Sequence, residues 1–221
     1  MTAGWPRGRR DGSVQRTPRL DMIVGPMFSG KSAELIRRVD LARRAQLAVR
    51  VFYPLRDTRA ADRTISSRAG SRTEAIAVET SDEILSYVDS TVDLVAIDEA
   101  SFFDPGLATV ARTLLTLPCW VVIAGLDLDF RGDPFGPVPN LLALADHVDK
   151  LSAVCAVCHD LNATRTQRLI DGEPAPDGAQ IVVEQSDDRV CYEARCSRCW
   201  EPPRRLAGGT QLPLTTFRAL P

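Results

Sequence analysis

The sequence predicts an α/β fold with a mostly parallel sheet and helices on both faces, extended by a small metal-stapled unit near the C-terminus. Three observations carry that prediction. An apolar run passes through a glycine-rich turn into a helix at Leu20–Ser32. Strand-like and helix-like stretches then alternate to about Leu151, the pattern of parallel strands joined by covering helices. Beyond that point two Cys-x-x-Cys pairs take over, Cys155/Cys158 and Cys196/Cys199.

The first stretch, LDMIVGPMFSGKS, satisfies the spacing G-x-x-x-x-G-K-[ST] with Gly25, Gly30, Lys31 and Ser32. A turn of this kind aims backbone N–H groups at phosphate oxygens, and glycines allow the close approach and the unusual dihedrals. Gly25, Pro26, Met27, Phe28, Ser29, Gly30, Lys31 and Ser32 are therefore the candidate ATP-binding loop. Lys31 is placed to reach the β- and γ-phosphates and Ser32 to coordinate Mg²⁺. The following helix adds the positive end of its dipole.

From Glu34 to Gln46 the residues Leu35, Ile36, Val39, Ala42 and Ala45 share one helical face. Arg37, Arg38, Arg43 and Arg44 fall elsewhere and read as a solvated face. AVRVFY, Ala48–Tyr53, is a second strand ended by Pro54. Leu55–Thr73 is a long polar loop, either functional or disordered, followed by a short strand at Glu74–Val78. Thr80 three residues before Glu83 offers a capping-box start to a short helix.

Asp93–Ile97 is a buried strand that ends in the acidic pair Asp98-Glu99. Apolar residues followed by such a pair form the Walker B pattern, with Asp98 directed to the metal and Glu99 available as a general base. Asp104-Pro105 caps another helix, with Pro at its first turn, and Cys119–Ala124 is a further buried strand. It leads into the loop Gly125–Pro139, which should face the site because ligands of open α/β sheets bind beyond the carboxyl ends of the strands. Phe130 and Phe135 in that loop form either a local hydrophobic staple or a stacking surface for a flat ring.

Each Cys-x-x-Cys can bite one metal ion from a tight turn, and two pairs complete a tetrahedral thiolate shell. Cys155, Cys158, Cys196 and Cys199 are thus candidate zinc ligands, in a closed site that is structural rather than catalytic. His159 is an alternative ligand, and a redox dithiol is the other reading of the pairs. Cys119 is read as a buried strand residue and Cys191 as a loop residue. The metal would anchor both ends of the excursion Asp160–Arg195, leaving its middle free to act as a lid.

The chain has 221 residues, 44% hydrophobic and 25% charged, enough for one well-buried domain and a small appendage. No apolar run is long enough to span a membrane. A formal net charge of -2 gives no global basic field, which argues against a nucleic-acid partner. The Arg- and Gly-rich start lacks the apolar core of a secretory signal, so residues 1–18 read as a disordered tail and the protein as cytoplasmic. There, paired cysteines hold metals more often than disulfides. The domains expected are the α/β unit at 19–150, the zinc unit with its lid at 151–200, and a largely disordered tail at 201–221.

Seven separated stretches together resemble one family, the type II, zinc-containing cytosolic thymidine kinases. They are GPMFSGKS (Gly25–Ser32), DTR (Asp57–Arg59), IDEASFF (Ile97–Phe103), LDLDF (Leu126–Phe130), PFG (Pro134–Gly136), AVCAVC (Ala153–Cys158) and YEARCSRC (Tyr192–Cys199). The likeness preserves order over roughly residues 19 to 200. It implies a RecA-like P-loop fold with a zinc-ribbon or lasso domain, ATP and thymidine as substrates, and a homotetramer. By the same resemblance Glu99 is the base that takes the proton of the deoxyribose 5′-hydroxyl. Arg59 then sits beside that acid and the phosphates. Met27, Phe102, Leu126, Phe130, Phe135 and Tyr192 line the thymine pocket. The sequence departs from the family at 181–188, which holds no glycine where members commonly have one in the lid. Deoxyuridine is a second expected acceptor. The competing readings are a zinc-bearing RecA-like ATPase acting on nucleic acid and a non-catalytic nucleotide-binding regulator.

Overall fold

The computed structural model describes residues 17–55, 64–67, 70–178 and 189–203. Arg59, Asp57, the stretch 181–188 and most of both expected tails lie outside the described residues. In chain order the elements are β1 (Arg19–Val24), α1 (Lys31–Arg44), β2 (Val49–Pro54), β3 (Thr64–Ser66), β4 (Arg72–Glu74), β5 (Ile76–Val78), a 3₁₀ helix (Ser81–Tyr87) and β6 (Leu94–Ile97). After a single 3₁₀ turn at Ala100–Phe102 come α2 (Leu107–Leu114), β7 (Trp120–Gly125), α3 (Val138–Leu144), β8 (His147–Lys150), β9 (Arg165–Ile170), β10 (Glu173–Pro174) and β11 (Val190–Arg195).

Six strands make one parallel sheet in the order β5-β2-β6-β7-β1-β8. Their near-continuous apolar runs follow from burial on both faces. Alternate side chains divide between two cores. Leu20, Met22, Val24, Val95, Ile97, Val121 and Ile123 pack with α2 and α3. Ile23, Leu94, Ala96, Val122 and Ala124 meet Leu35, Ile36, Val39 and Ala42 of α1. The strand bearing the glycine-rich loop, β1, and the strand bearing the acid pair, β6, are separated by β7 alone. Among the described residues no helix is long and apolar enough to cross a membrane.

Several expectations are corrected. The first helix begins at Lys31 rather than Glu34, and Ala45 is exposed beyond its end. The expected strand 74–78 is two strands: β4 pairs with β3 as a hairpin, while β5 joins the large sheet. The hairpin sends Ile65 into the core beside α1, so that part of the polar loop is built rather than open. α2 starts at Leu107 with Gly106 as its N-cap, so Asp104-Pro105, expected as the cap, lies just ahead of the helix: the Asp104 carboxylate accepts from the backbone N–H groups of Ser81 and Gly106 at 2.8 Å each, joining the starts of two helices. The expected capping contact holds, with the Glu83 carboxylate accepting from the Thr80 N–H at 3.3 Å.

Among its described residues the excursion between the cysteine pairs holds strands that its turn residues did not suggest, while 179–188, where the lid is expected, lies outside the described residues. β9, β10 and β11 form a three-stranded antiparallel sheet that occupies much of it. Cys191 consequently lies on β11, exposed, rather than in a loop.

Arg38 is the largest departure from the solvated-face reading. It is 8% exposed and donates to Glu34 at 2.9 Å, to Asp21 at 3.2 Å and to Asp149 of β8. Asp21 sits fully buried on the α1 side of β1, where Arg19 also reaches it at 2.6 Å. A carboxylate sealed under a helix needs a cation aimed at it, and the register of α1 supplies one. Removing Arg38 leaves Asp21 with Arg19 alone and takes a cation from Glu34 and Asp149, so Arg38→Met should lose about 1.5–3 kcal/mol in urea denaturation. Arg37→Met, which breaks only an exposed pair with Glu34, should lose less than about 1 kcal/mol.

Candidate active site

The glycine-rich loop leaves β1 through Gly25 at φ 146°, and a Cβ there would lie 2.4 Å from the carbonyl oxygen of Leu151. No other residue fits that contact. Phe28 and Gly30 continue the turn at φ 67° and 88°. Lys31 curls into the loop and donates to the Pro26 carbonyl at 2.7 Å, while the Ser29 hydroxyl donates to the same oxygen at 2.9 Å. α1 begins here, so its N-terminal N–H groups and dipole point at whatever occupies the loop. From outside the loop, Thr166 of β9 accepts the Met27 N–H at 3.1 Å.

Asp98, at the end of β6, is fully buried, and its carboxyl is pushed up to about 7. Burial is the main cause and the neighbouring charge of Glu99 the second. The Ser32 hydroxyl, the Glu99 N–H at 2.9 Å and the charge of Lys31 oppose the rise. The loop and the acid pair are therefore one electrostatic unit. Glu99 takes the left-handed conformation at φ 52°, rare for a residue with a side chain. The chain turns sharply at that point, leaving Glu99 half-buried where Asp98 is enclosed.

Two glycines bring the candidate aromatic residues together. A Cβ on Gly136 would come within 2.4 Å of the Ser101 carbonyl oxygen, and one on Gly125 within 3.1 Å of Ala100. Phe102 and Phe135 accordingly meet edge to face, 5.5 Å apart at 85°. Phe130 does not staple to Phe135. It lies under the guanidinium of Arg168, whose central carbon is 3.5 Å from the ring centroid. Leu126 is buried where β7 ends. Tyr192, half-buried on β11, stands opposite Arg168 on β9. Thr166 and Arg168 escaped the sequence reading. Their signal was the six-residue β-prone runs RTQRLI and VCYEAR, which the surrounding Gly and Pro residues obscured.

The sulfurs of Cys155, Cys158, Cys196 and Cys199 lie within 4.8 Å of one another, with Cys158 and Cys196 3.7 Å apart. Four sulfurs at about 2.3 Å from a tetrahedral zinc ion would sit about 3.8 Å apart, so the cluster fits a structural zinc. Backbone N–H groups of Cys158 and Cys196 point at Cys155 and lower its thiol to about 6. This prepares a thiolate for the metal. His159 is exposed next to a complete set of four sulfurs.

A family model described as thymidine kinase matches residues 18–200 of this chain.

Two outcomes test the site. The raised Asp98 pKa means that the folded state binds its proton more tightly than the unfolded chain does. Asp98 then costs no stability below about pH 4, and a growing amount as pH rises through about 7. Asp98→Asn should therefore raise the melting temperature of the ligand-free protein at pH 8 and leave it nearly unchanged at pH 4.5. For the cysteine cluster, Cys158→Ser should abolish metal binding by elemental analysis and lower the melting temperature by more than about 10 °C.

Proposed function

The chain belongs to the thymidine kinase family, and we propose how its residues divide the work of moving a phosphoryl group from ATP to thymidine. It is an ATP-dependent kinase of thymidine, and family membership does not favour the nucleic-acid ATPase. The observation that carries the division of labour is the buried Asp98 carboxyl set near enough to Ser32 and Lys31 for both to work against the rise of its pKa, which brings the glycine-rich loop and the acid pair together.

The loop Gly25–Ser32 binds the triphosphate of ATP with its backbone N–H groups, and Lys31 neutralises the β- and γ-phosphates. Ser32 and Asp98 suit Mg²⁺: a hydroxyl and a buried carboxylate beside a second acid are the oxygen donors a hard cation takes. Mg²⁺ supplies charge neutralisation on the nucleotide when bound. Glu99, half-exposed beside enclosed Asp98, is the general base that receives the 5′-hydroxyl proton as the oxygen attacks the γ-phosphorus. Arg59 is assigned to the phosphates from the DTR stretch. Met27, Phe102, Leu126, Phe130, Phe135 and Tyr192 enclose the thymine, because a small flat base gains most of its affinity from aromatic enclosure.

Deoxyuridine, which lacks only a methyl group, is accepted as well. Missing one methyl in an apolar pocket costs about 1–3 kcal/mol of discrimination. We further assign the protein to the cytoplasm, as a homotetramer that serves deoxynucleotide supply without contacting nucleic acid.

Glu99→Gln tests the central role. It should retain ATP and thymidine binding by calorimetry and lose turnover by about 10²- to 10⁴-fold. Near-normal turnover would remove Glu99 as the base. With the wild type, mass spectrometry of products from ATP and an equal mixture of thymidine, deoxyuridine, deoxycytidine and deoxyadenosine should show thymidine monophosphate first and deoxyuridine monophosphate second. Equal yields from all four would remove the pocket assignment.

A further inference from the structure

Strand β9 carries a buried charge that no motif singled out. Arg168 is 3% exposed, shares a strand face with Thr166, and stands directly across from Tyr192 in the β9–β11 register. Opposed residues of an antiparallel pair project to one side, as do residues two apart on one strand. That side is turned toward the large sheet, since Thr166 there accepts the Met27 N–H. The Arg168 guanidinium carbon, 3.5 Å from the Phe130 centroid, is in van der Waals contact with the ring.

Both partners of this stack are held from behind. Gln167, on the opposite face of β9, is tied to Glu201 in both directions. Its amide nitrogen donates to the Glu201 carbonyl at 3.1 Å, and its oxygen accepts the Glu201 N–H at 2.8 Å. Glu201 follows Cys199 closely, so the cysteine cluster sets where β9 lies. Phe130 stands on a turn fixed by Asp129, whose carboxylate accepts the N–H groups of Arg131 and Asp133 at 2.8 and 3.1 Å. Trp200 packs against Gly132 of the same turn.

A guanidinium enclosed to this degree is costly unless its face and edges are occupied. Arginine tolerates the position because its charge is delocalised and weakly hydrated, and its plane matches a ring face. We propose that Arg168 is a positioning residue for nucleoside recognition. Its guanidinium holds the Phe130 ring where the ring meets the thymine, with Tyr192 beside it, and it transmits the position of β9 to the pocket. This rests on the assignment of Phe130 and Tyr192 to that pocket.

The test compares Arg168→Lys, Arg168→Met, Phe130→Leu and the double variant Arg168→Lys/Phe130→Leu in steady-state kinetics. Melting temperature and zinc content are recorded for each. Lysine keeps the charge but not the plane, so Arg168→Lys should raise the KM for thymidine roughly tenfold and leave the KM for ATP within about twofold. Phe130→Leu should do the same, and the double variant should add little to either. A wild-type thymidine KM in Arg168→Lys, with Phe130→Leu impaired, would overturn the positioning role and leave the pocket assignment standing. Fully additive effects would also overturn it. An unimpaired Phe130→Leu would overturn the pocket assignment and the positioning role together. If Arg168→Met fails to fold, the soluble Arg168→Lys still decides the question.

Discussion

The position of one backbone turn governs the rest of this molecule. Gly25 rests against the Leu151 carbonyl, too close for any side chain, and two residues on Met27 gives its N–H to Thr166. Leu151 follows the edge strand β8, and Thr166 lies on β9 of the cysteine-bearing unit. The phosphate loop is thus gripped at its start by the large sheet and at its middle by the small one. A loop that must present many N–H groups inward has little interior bonding of its own. Its shape has to be imposed by neighbours.

The acid pair is tied into the same unit through electrostatics. Burial lifts the Asp98 pKa toward neutrality, and the loop's own Ser32 and Lys31 act against that rise. A carboxylate placed there is held short of its ordinary charge until positive charge is brought near, which ties the acid pair to occupancy of the loop. The left-handed turn at Glu99 separates two adjacent acids into an enclosed one and a half-open one, suiting them to different tasks.

The small unit contributes more than attachment. Its β9 reaches the phosphate loop through Thr166 and the loop after β7 through Arg168, while Arg131 and Asp177 meet at 3.4 Å across the same boundary. With few apolar residues of its own, chiefly alanines and cysteines, that unit depends on the metal cluster to hold its strands. A metal held by the four cysteines would fix where β9 can be.

Local sequence determined the pieces whose physics is local. The spacing of Gly25, Gly30, Lys31 and Ser32, the acid pair after an apolar strand, and the two Cys-x-x-Cys turns each encode a conformation or donor set within a few residues, and each is found where it was expected. Tertiary structure alone decided the rest, because it turns on which surfaces meet. Arg38 read as solvated until Asp21 and Asp149 were brought beneath it from two other strands. Phe130 could have paired with Phe135 in the same loop, yet a guanidinium some forty residues later in the chain took its face. Burial of a charge and stacking of a ring depend on partners distant in sequence, and local pattern carries no record of them.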